Sequence, residues 1–255
     1  MDDAGYFLAP GGITVGQDFG LERENLRPVL HVVTYKAEAF DGLIDKINAL
    51  GFGLTLGLHT RIDDRINAVS HNANVGNVYV NRNQIGAVVG VQPFGGHGLS
   101  GTGPKAGGPN YVVRLTQPSC SPSEIIAPIS VSLPGPTGEE NTLSYEPRGL
   151  LLCLGGDAPS DLPAQIQRAE ATGNTTHTCA NPTDDDLMKW LATDIDGVVA
   201  DGAVRTRVAR MIATRPGAIL PLLSAYDDAK RFCVEKTVTV NTTAAGGNAS
   251  LLAGM

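Results

Sequence analysis

Between residues 40 and 80 the apolar side chains switch back and forth between two periods. Phe40, Leu43, Ile44 and Ile47 stand at i, i+3, i+4 and i+7, one face of a helix that ends at Gly51. Residues 54–60 read as a strand. Ile62, Ile66, Val69 and Ala73 then return to helical spacing up to Gly76, and residues 78–80 form a second short strand. A chain that alternates helix and strand in this way is expected to fold as α/β.

The second strand leads into residues 81–109, NRNQIGAVVGVQPFGGHGLSGTGPKAGGP, where nine of the chain's 31 glycines lie between Gly86 and Gly108. Glycine gathered around a Pro93-Phe94 pair marks backbone that bends sharply or approaches something closely, so this stretch is the candidate site loop. Gly96-His97-Gly98-Leu99-Ser100-Gly101 matches GxGxxG by letter. No strand runs directly into it, no apolar helix follows and no acidic residue lies about 20 positions on, so a dinucleotide fingerprint is not expected.

The 255 residues are 42% hydrophobic and 18% charged, a globular composition with room for one large or two modest domains. The net charge of -7 is unevenly placed: residues 1–117 carry 9 basic and 10 acidic groups, residues 118–255 carry 10 and 16. An acidic surface without a basic stripe argues against a nucleic-acid partner. Cys120, Cys153, Cys179 and Cys233 are far apart, with no CxxC and no His at ligand spacing, so no metal site or disulfide framework is signalled and reduced thiols are expected. No apolar run approaches the about 20 residues of a membrane helix, and Met1-Asp2-Asp3-Ala4 does not open like a signal peptide. A cytoplasmic chain with no transmembrane segment is the expectation.

Outside the loop, Pro28 to Tyr35 is rich in β-branched residues and reads as a strand. From Pro118 the chain becomes proline-rich, and alternating Ile129, Val131 and Leu133 suggest a strand of an exposed hairpin or flap. Beyond Gly149 the alternation resumes. Residues 150–154 read as a buried strand, 162–171 as a helix and 175–179 as a strand; Asp184 caps a helix through Leu191, helices follow at 206–212 and 226–232, and 237–240 is a last strand.

Several segments together carry a family resemblance. Pro28-Val29-Leu30-His31-Val32-Val33, Gly53-Leu54-Thr55-Leu56-Gly57-Leu58-His59-Thr60-Arg61, Gly76-Asn77-Val78-Tyr79-Val80-Asn81-Arg82-Asn83 and Gly86-Ala87-Val88-Val89-Gly90-Val91-Gln92-Pro93-Phe94-Gly95-Gly96 resemble the C-terminal part of the aldehyde dehydrogenase catalytic domain. Within that superfamily they look like the L-glutamate γ-semialdehyde (pyrroline-5-carboxylate) dehydrogenase module of bifunctional proline-utilisation enzymes. Leu133-Pro134-Gly135-Pro136-Thr137-Gly138-Glu139-Glu140-Asn141-Thr142-Leu143 and residues 240–251 are similar to the C-terminal region of the longer members.

The resemblance implies four stretches: residues 1–117 as the C-terminal part of the catalytic domain, 118–145 as a proline-rich flap or oligomerisation hairpin, 146–234 as a degenerate Rossmann-like domain and 235–255 as a lid. It implies that Ile85, Gly86 and Ala87 anchor the substrate carboxylate through backbone N–H groups, which glycine suits because successive amides can converge on an anion. Phe94 would contact the aliphatic part of the semialdehyde, although plain core packing would account for the ring equally well. Glu24 aligns with the glutamate that binds the nicotinamide ribose hydroxyls of NAD. The chain departs from the family beside it, with Leu26 and Arg27 where Phe and Gly are expected before Pro28. FAD belongs only to the separate proline dehydrogenase domain of the family.

The family's chemistry needs a cysteine thiolate and a glutamate, both upstream of the matched region, so no catalytic residue is assigned. His97 and Lys105 read as loop surface groups. Implied partners are the glutamate semialdehyde substrate, the missing N-terminal dehydrogenase half or proline dehydrogenase domain, and a second copy in a homo-oligomer. The first 117 residues are expected to expose an apolar patch or to associate with a partner. The alternative to part of a dehydrogenase is a non-catalytic interaction or oligomerisation module, or an inactive remnant.

Overall fold

The computed structural model describes residues 9–16, 26–116, 127–158 and 161–243, so Glu24 and Cys120 lie outside the described residues. Met1–Leu50 and Gly51–Met255 are two compact units. In the first, β1 (Gly11–Thr14) pairs in parallel with β2 (Val29–Val32), and a 3-10 turn at Ala37–Ala39 leads into α1 (Phe40–Ala49). The i, i+3, i+4, i+7 spacing is a real helix, though only Ile44 of its face is buried.

The second unit opens with β3 (Phe52–Gly53) and β4 (Thr55–Leu58), α2 (Asp63–Asn72), β5 (Asn77–Val80), β6 (His97–Gly98) and the short α3 (Tyr111–Leu115). It continues with the antiparallel pair β7 (Ile129–Leu133) and β8 (Glu139–Pro147), then β9 (Leu150–Leu154), α4 (Asp161–Ala171), β10 (Thr175–Cys179), α5 (Asp184–Leu191), β11 (Gly197–Val199), α6 (Gly202–Thr214), β12 (Leu222–Leu223) and β13 (Cys233–Asn241).

Strands β9 to β12 make a parallel sheet in the order β10-β9-β11-β12. The run Leu150-Leu151-Leu152-Cys153-Leu154 is apolar throughout because both faces are covered. Leu152 and Leu154 pack with Leu187, Leu191, Val204 and Val208 of α5 and α6, while Leu151 and Cys153 face Ala169 of α4 and Phe232. The result is an α/β layer of the expected class.

A second sheet has the order β4-β5-β13-β8-β7. Its middle strand, β13, runs parallel to β5, with Val238 opposite Val78, and antiparallel to β8, with Thr239 opposite Asn141. Strands from residues 55–80, 129–147 and 233–241 therefore share one sheet, across the sequence boundaries expected at 117, 145 and 234. Residues 235–241, expected to begin a lid, complete β13; residues 244–255 lie outside the described residues.

Two local expectations need correcting. The cap of α5 is Thr183, one residue before Asp184: its Oγ1 accepts the Asp186 N–H at 3.2 Å and its own N–H donates to Asp186 Oδ2 at 3.1 Å. Residues 226–232 do not form an α-helix but end in one 3-10 turn, Ala229–Phe232. Aspartates take the backbone donors there, Asp227 Oδ2 from Ser224 N–H at 2.9 Å and Asp228 Oδ1 from Lys230 N–H at 2.8 Å, in competition with helical bonding.

Candidate substrate-anchor site

The site loop leaves the end of β5, at Asn81. This residue takes a left-handed conformation, φ 56°, and its side chain clamps the neighbouring strand end, accepting Thr60 N–H at 3.0 Å and donating to Thr60 O at 2.9 Å. An amide side chain that bonds locally is what makes such a φ tolerable outside glycine. Residues 83–90 are exposed, Ile85 at 75%.

Gly86 has φ +80° and open space where a Cβ would project, so glycine is required there by backbone conformation and not by crowding. The Ile85 N–H leans on Asn83 Oδ1 at 3.4 Å. Among the described residues the Gly86 and Ala87 N–H groups have no acceptor. Ile85, Gly86 and Ala87 thus sit together on one exposed turn, two of them with amides open to an anion. Phe94 is half-buried and paired with Ala106 through mutual N–H to carbonyl bonds of 2.9 and 2.8 Å.

Lys105 overturns its reading as a surface group. It is 2% exposed, and its ammonium donates to Gly76 O at 2.6 Å, Gly95 O at 2.7 Å and Asn77 Oδ1 at 2.8 Å. Three convergent acceptors satisfy the three ammonium protons, which is what allows a lysine inside. Burial pulls its pKa down to about 7, with Glu235 opposing the shift. His97 is also set inward: burial lowers it to about 4, and its Nε2 lies 3.1 Å from the Glu235 carbonyl, so the ring is neutral at pH 7 and donates.

Glu235 joins the loop to the sheet. It accepts the Lys105 N–H at 2.6 Å and, through Oε1, the side-chain amide of Asn110, which also donates to Tyr145 Oη at 2.9 Å. The GxGxxG letters at 96–101 form β6 and a tight turn in which Ser100 N–H returns to His97 O at 2.9 Å; the next helix begins only at Tyr111. A Cβ on Gly96 would meet Ser100 at 2.6 Å, so that glycine serves the turn. No helix N-terminus faces a phosphate there.

A groove of about 890 Å³ lies elsewhere, along α2 and the β7–β8–β13 face, lined by residues including Asn67, Ser70, Thr142 and Lys236. None of Ile85, Gly86, Ala87 or Phe94 lines it. Lys236 closes one part of it, donating to Ser70 O at 3.0 Å and His71 O at 3.3 Å at the end of α2 and pairing with Glu146 at 3.2 Å.

Two of the three described cysteines, Cys153 and Cys233, are poor nucleophiles. Cys153 and Cys233 are buried, their thiols pushed up to about 12 and about 11, and no three His, Cys, Asp or Glu side chains gather as a metal site among the described residues. Apolar side chains are open to solvent on the loop and on α3: Val88, Val89, Val112, Val113 and Leu115. No helix of the described residues is long and apolar enough to cross a membrane.

Residues 1–119 match the aldehyde dehydrogenase family. The bifunctional protein PutA of Salmonella typhimurium is 37% identical over 97% of this chain and 24% of its own length. This is a PutA-like aldehyde dehydrogenase chain. It spans about a quarter of the length of the PutA proteins it matches, and the Salmonella alignment runs over 321 positions against the 255 residues here, so the relative carries stretches with no counterpart in this PutA-like chain. The 1-pyrroline-5-carboxylate dehydrogenase of Bacillus licheniformis is 40% identical over 121 residues, 46% of this chain and 22% of its own. The PutA structure from Corynebacterium freiburgense superimposes with a TM-score of 0.64 at 23% identity, over 84% of this chain and 25% of that one, a likeness of fold.

Proposed function

We propose that the PutA-like chain supplies the carboxylate anchor of an NAD-dependent L-glutamate γ-semialdehyde dehydrogenase of proline catabolism, which oxidises the semialdehyde to glutamate. The observation that carries this reading is the exposed turn at Gly86 and Ala87, whose two N–H groups have no acceptor among the described residues. Successive unpaired amides form an anion-binding concavity, and similarity to a 1-pyrroline-5-carboxylate dehydrogenase over 46% of the chain gives that anion a chemical class. Phe94 lies beside the aliphatic part of the substrate, and Glu24 holds the ribose of NAD. FAD has its place only in a separate proline dehydrogenase domain.

The thiols of Cys153 and Cys233 are buried and held protonated, which supports assigning the covalent step, in this reading, to a dehydrogenase half outside these 255 residues. Residues 1–117 belong to the catalytic domain in this reading, 118–145 to the flap, 146–234 to a Rossmann-like domain and the residues after 234 to a lid segment. The chain works in the cytoplasm. An interaction or oligomerisation module is the second reading; it is favoured by the edge strand β7, where Ile129 and Val131 are exposed.

The test is calorimetric titration of the chain with L-glutamate. Binding that disappears in Gly86→Val supports the anchor. Valine cannot hold φ +80° without strain, yet has space around it, so the turn should change while the sheets stay folded. Glutamate binding unaltered by Gly86→Val would discard the anchor.

A further inference from the structure

We propose that Glu139 is the positioning residue of the anchor loop, so that the half of the chain beyond the aldehyde dehydrogenase match shapes the carboxylate site. The proposal deepens the anchor reading above and, where it concerns binding, rests on it.

Glu139 opens β8, downstream of the family match that ends at residue 119. Its Oε2 accepts from Arg82 Nη1 at 2.5 Å, and its Oε1 accepts from Gln92 Nε2 at 2.7 Å. Arg82 and Gln92 flank residues 83–91, the part of the loop that carries Ile85, Gly86 and Ala87, so one carboxylate joins the two ends of that part. Gln92 passes the constraint inward, since its Oε1 accepts the Val88 N–H at 3.3 Å, the amide next to Ala87.

The carboxylate is itself held from behind. Asn141 Nδ2 donates to Glu139 Oε1 at 2.9 Å, and Asn141 Oδ1 accepts from Thr239 Oγ1 on β13 at 2.8 Å. The node is sheltered: the Arg82 and Glu139 side chains are 18% and 15% exposed, and Gln92 is 2% exposed. Charge-assisted bonds in partial burial are the stronger kind.

The loop needs such a tie. Gly86 and Gly90 both sit at positive φ and the residues between are exposed; backbone bonds hold the far side, Gln92 N–H to Val88 O at 2.8 Å and Gly90 N–H to Gly107 O at 2.9 Å, but among the described residues no backbone–backbone bond fixes residues 83–87. An untied loop would have to be ordered by its ligand, and that ordering would subtract from affinity. With both ends fixed to β8, the open amides of Gly86 and Ala87 are set in place before the anion arrives.

The experiment uses the whole chain, with amide hydrogen exchange read by NMR and L-glutamate as the calorimetric probe. Glu139→Ala removes both ties, Glu139→Gln keeps an acceptor for Gln92 but turns an amide toward Arg82, and Gln92→Ala frees Val88 while leaving Arg82 paired. Val88 exchange should quicken most in Glu139→Ala and Gln92→Ala and less in Glu139→Gln, while amides of β9 and β11 keep their protection. Glutamate affinity should fall about tenfold in Glu139→Ala, the loss expected for one charged hydrogen bond.

Val88 exchange unchanged in Glu139→Ala and Gln92→Ala would overturn the proposal, as would faster exchange with undiminished glutamate affinity. A wild-type chain that binds no glutamate would remove the anchor reading, and Val88 exchange would still decide whether Glu139 sets the loop. If Glu139→Ala loses protection throughout β9 and β11, Gln92→Ala decides by the same measure: faster Val88 exchange supports the tie, and unchanged exchange overturns it.

Discussion

Lys105 Nζ and Asn77 Oδ1 meet at 2.8 Å, and the same oxygen accepts the Gly95 N–H at 3.1 Å while Asn77 Nδ2 donates to Pro93 O at 2.8 Å. One asparagine at the start of β5 thus holds both the turn that carries Phe94 and the lysine beneath it. Thr237 on β13 adds a second donor to Pro93 O at 2.8 Å, so the turn is fixed to two neighbouring strands of the sheet.

Replacing this lysine by methionine keeps the stem and removes the donors. Gly95 O loses its lysine bond and Gly76 O keeps only the Thr237 N–H at 2.8 Å. Lys105→Met should therefore destabilise the chain by about 2–4 kcal/mol, the range for buried acceptors left without partners. Urea unfolding measures it. A surface lysine would change stability by no more than about 0.5 kcal/mol, so a shift that small would return Lys105 to the surface.

His97 makes the stability acid-sensitive. Its pKa is about 4 in the fold and near 6.5 when exposed, burial being the main cause. The unfolded chain takes up the proton as pH falls through 6.5, whereas the fold refuses it until about 4, so stability drops across that window. A shift of this size corresponds to about 3 kcal/mol. Urea midpoints at pH 7 and pH 4.5 for the wild type and His97→Asn should show the variant losing less stability on acidification; equal losses would mean that the ring is solvated.

Elements with a local period were legible. The apolar run of β9 and the helical spacing of α1 and α2 repeat within a few residues, and the chain folds as they indicate. β8 also has a period of two, with Asn141, Leu143 and Tyr145 buried, but a polar residue in the buried phase and proline around it disguised the strand. The central place of β13 could not be read, because its partners β5 and β8 are chosen by the fold and not by neighbouring residues. The same holds for the site. Gly86 signalled its own unusual φ, whereas Lys105 finds backbone acceptors and Glu139 finds Arg82 across 57 residues, pairings without local pattern.

The cysteines give a chemical check on where nucleophilic catalysis can reside. Cys153, on β9, is fully buried beside Ala169 and Phe232, and burial with nearby Glu170 holds its thiol protonated at neutral pH. Cys233 is 2% exposed and its Sγ lies 3.8 Å from Ala229 O, so its proton already has an acceptor. Cys179 is half-buried at the end of the edge strand β10. Brief treatment of the folded chain with iodoacetamide at pH 8, followed by peptide mass mapping, should label Cys179 well ahead of Cys153 and Cys233, and urea should abolish the difference. Thiolate is the reacting form, so rapid native labelling of Cys153 or Cys233 would restore that residue as a nucleophile, whereas protection of both excludes these two as the thiolate that the proposed dehydrogenase reading requires.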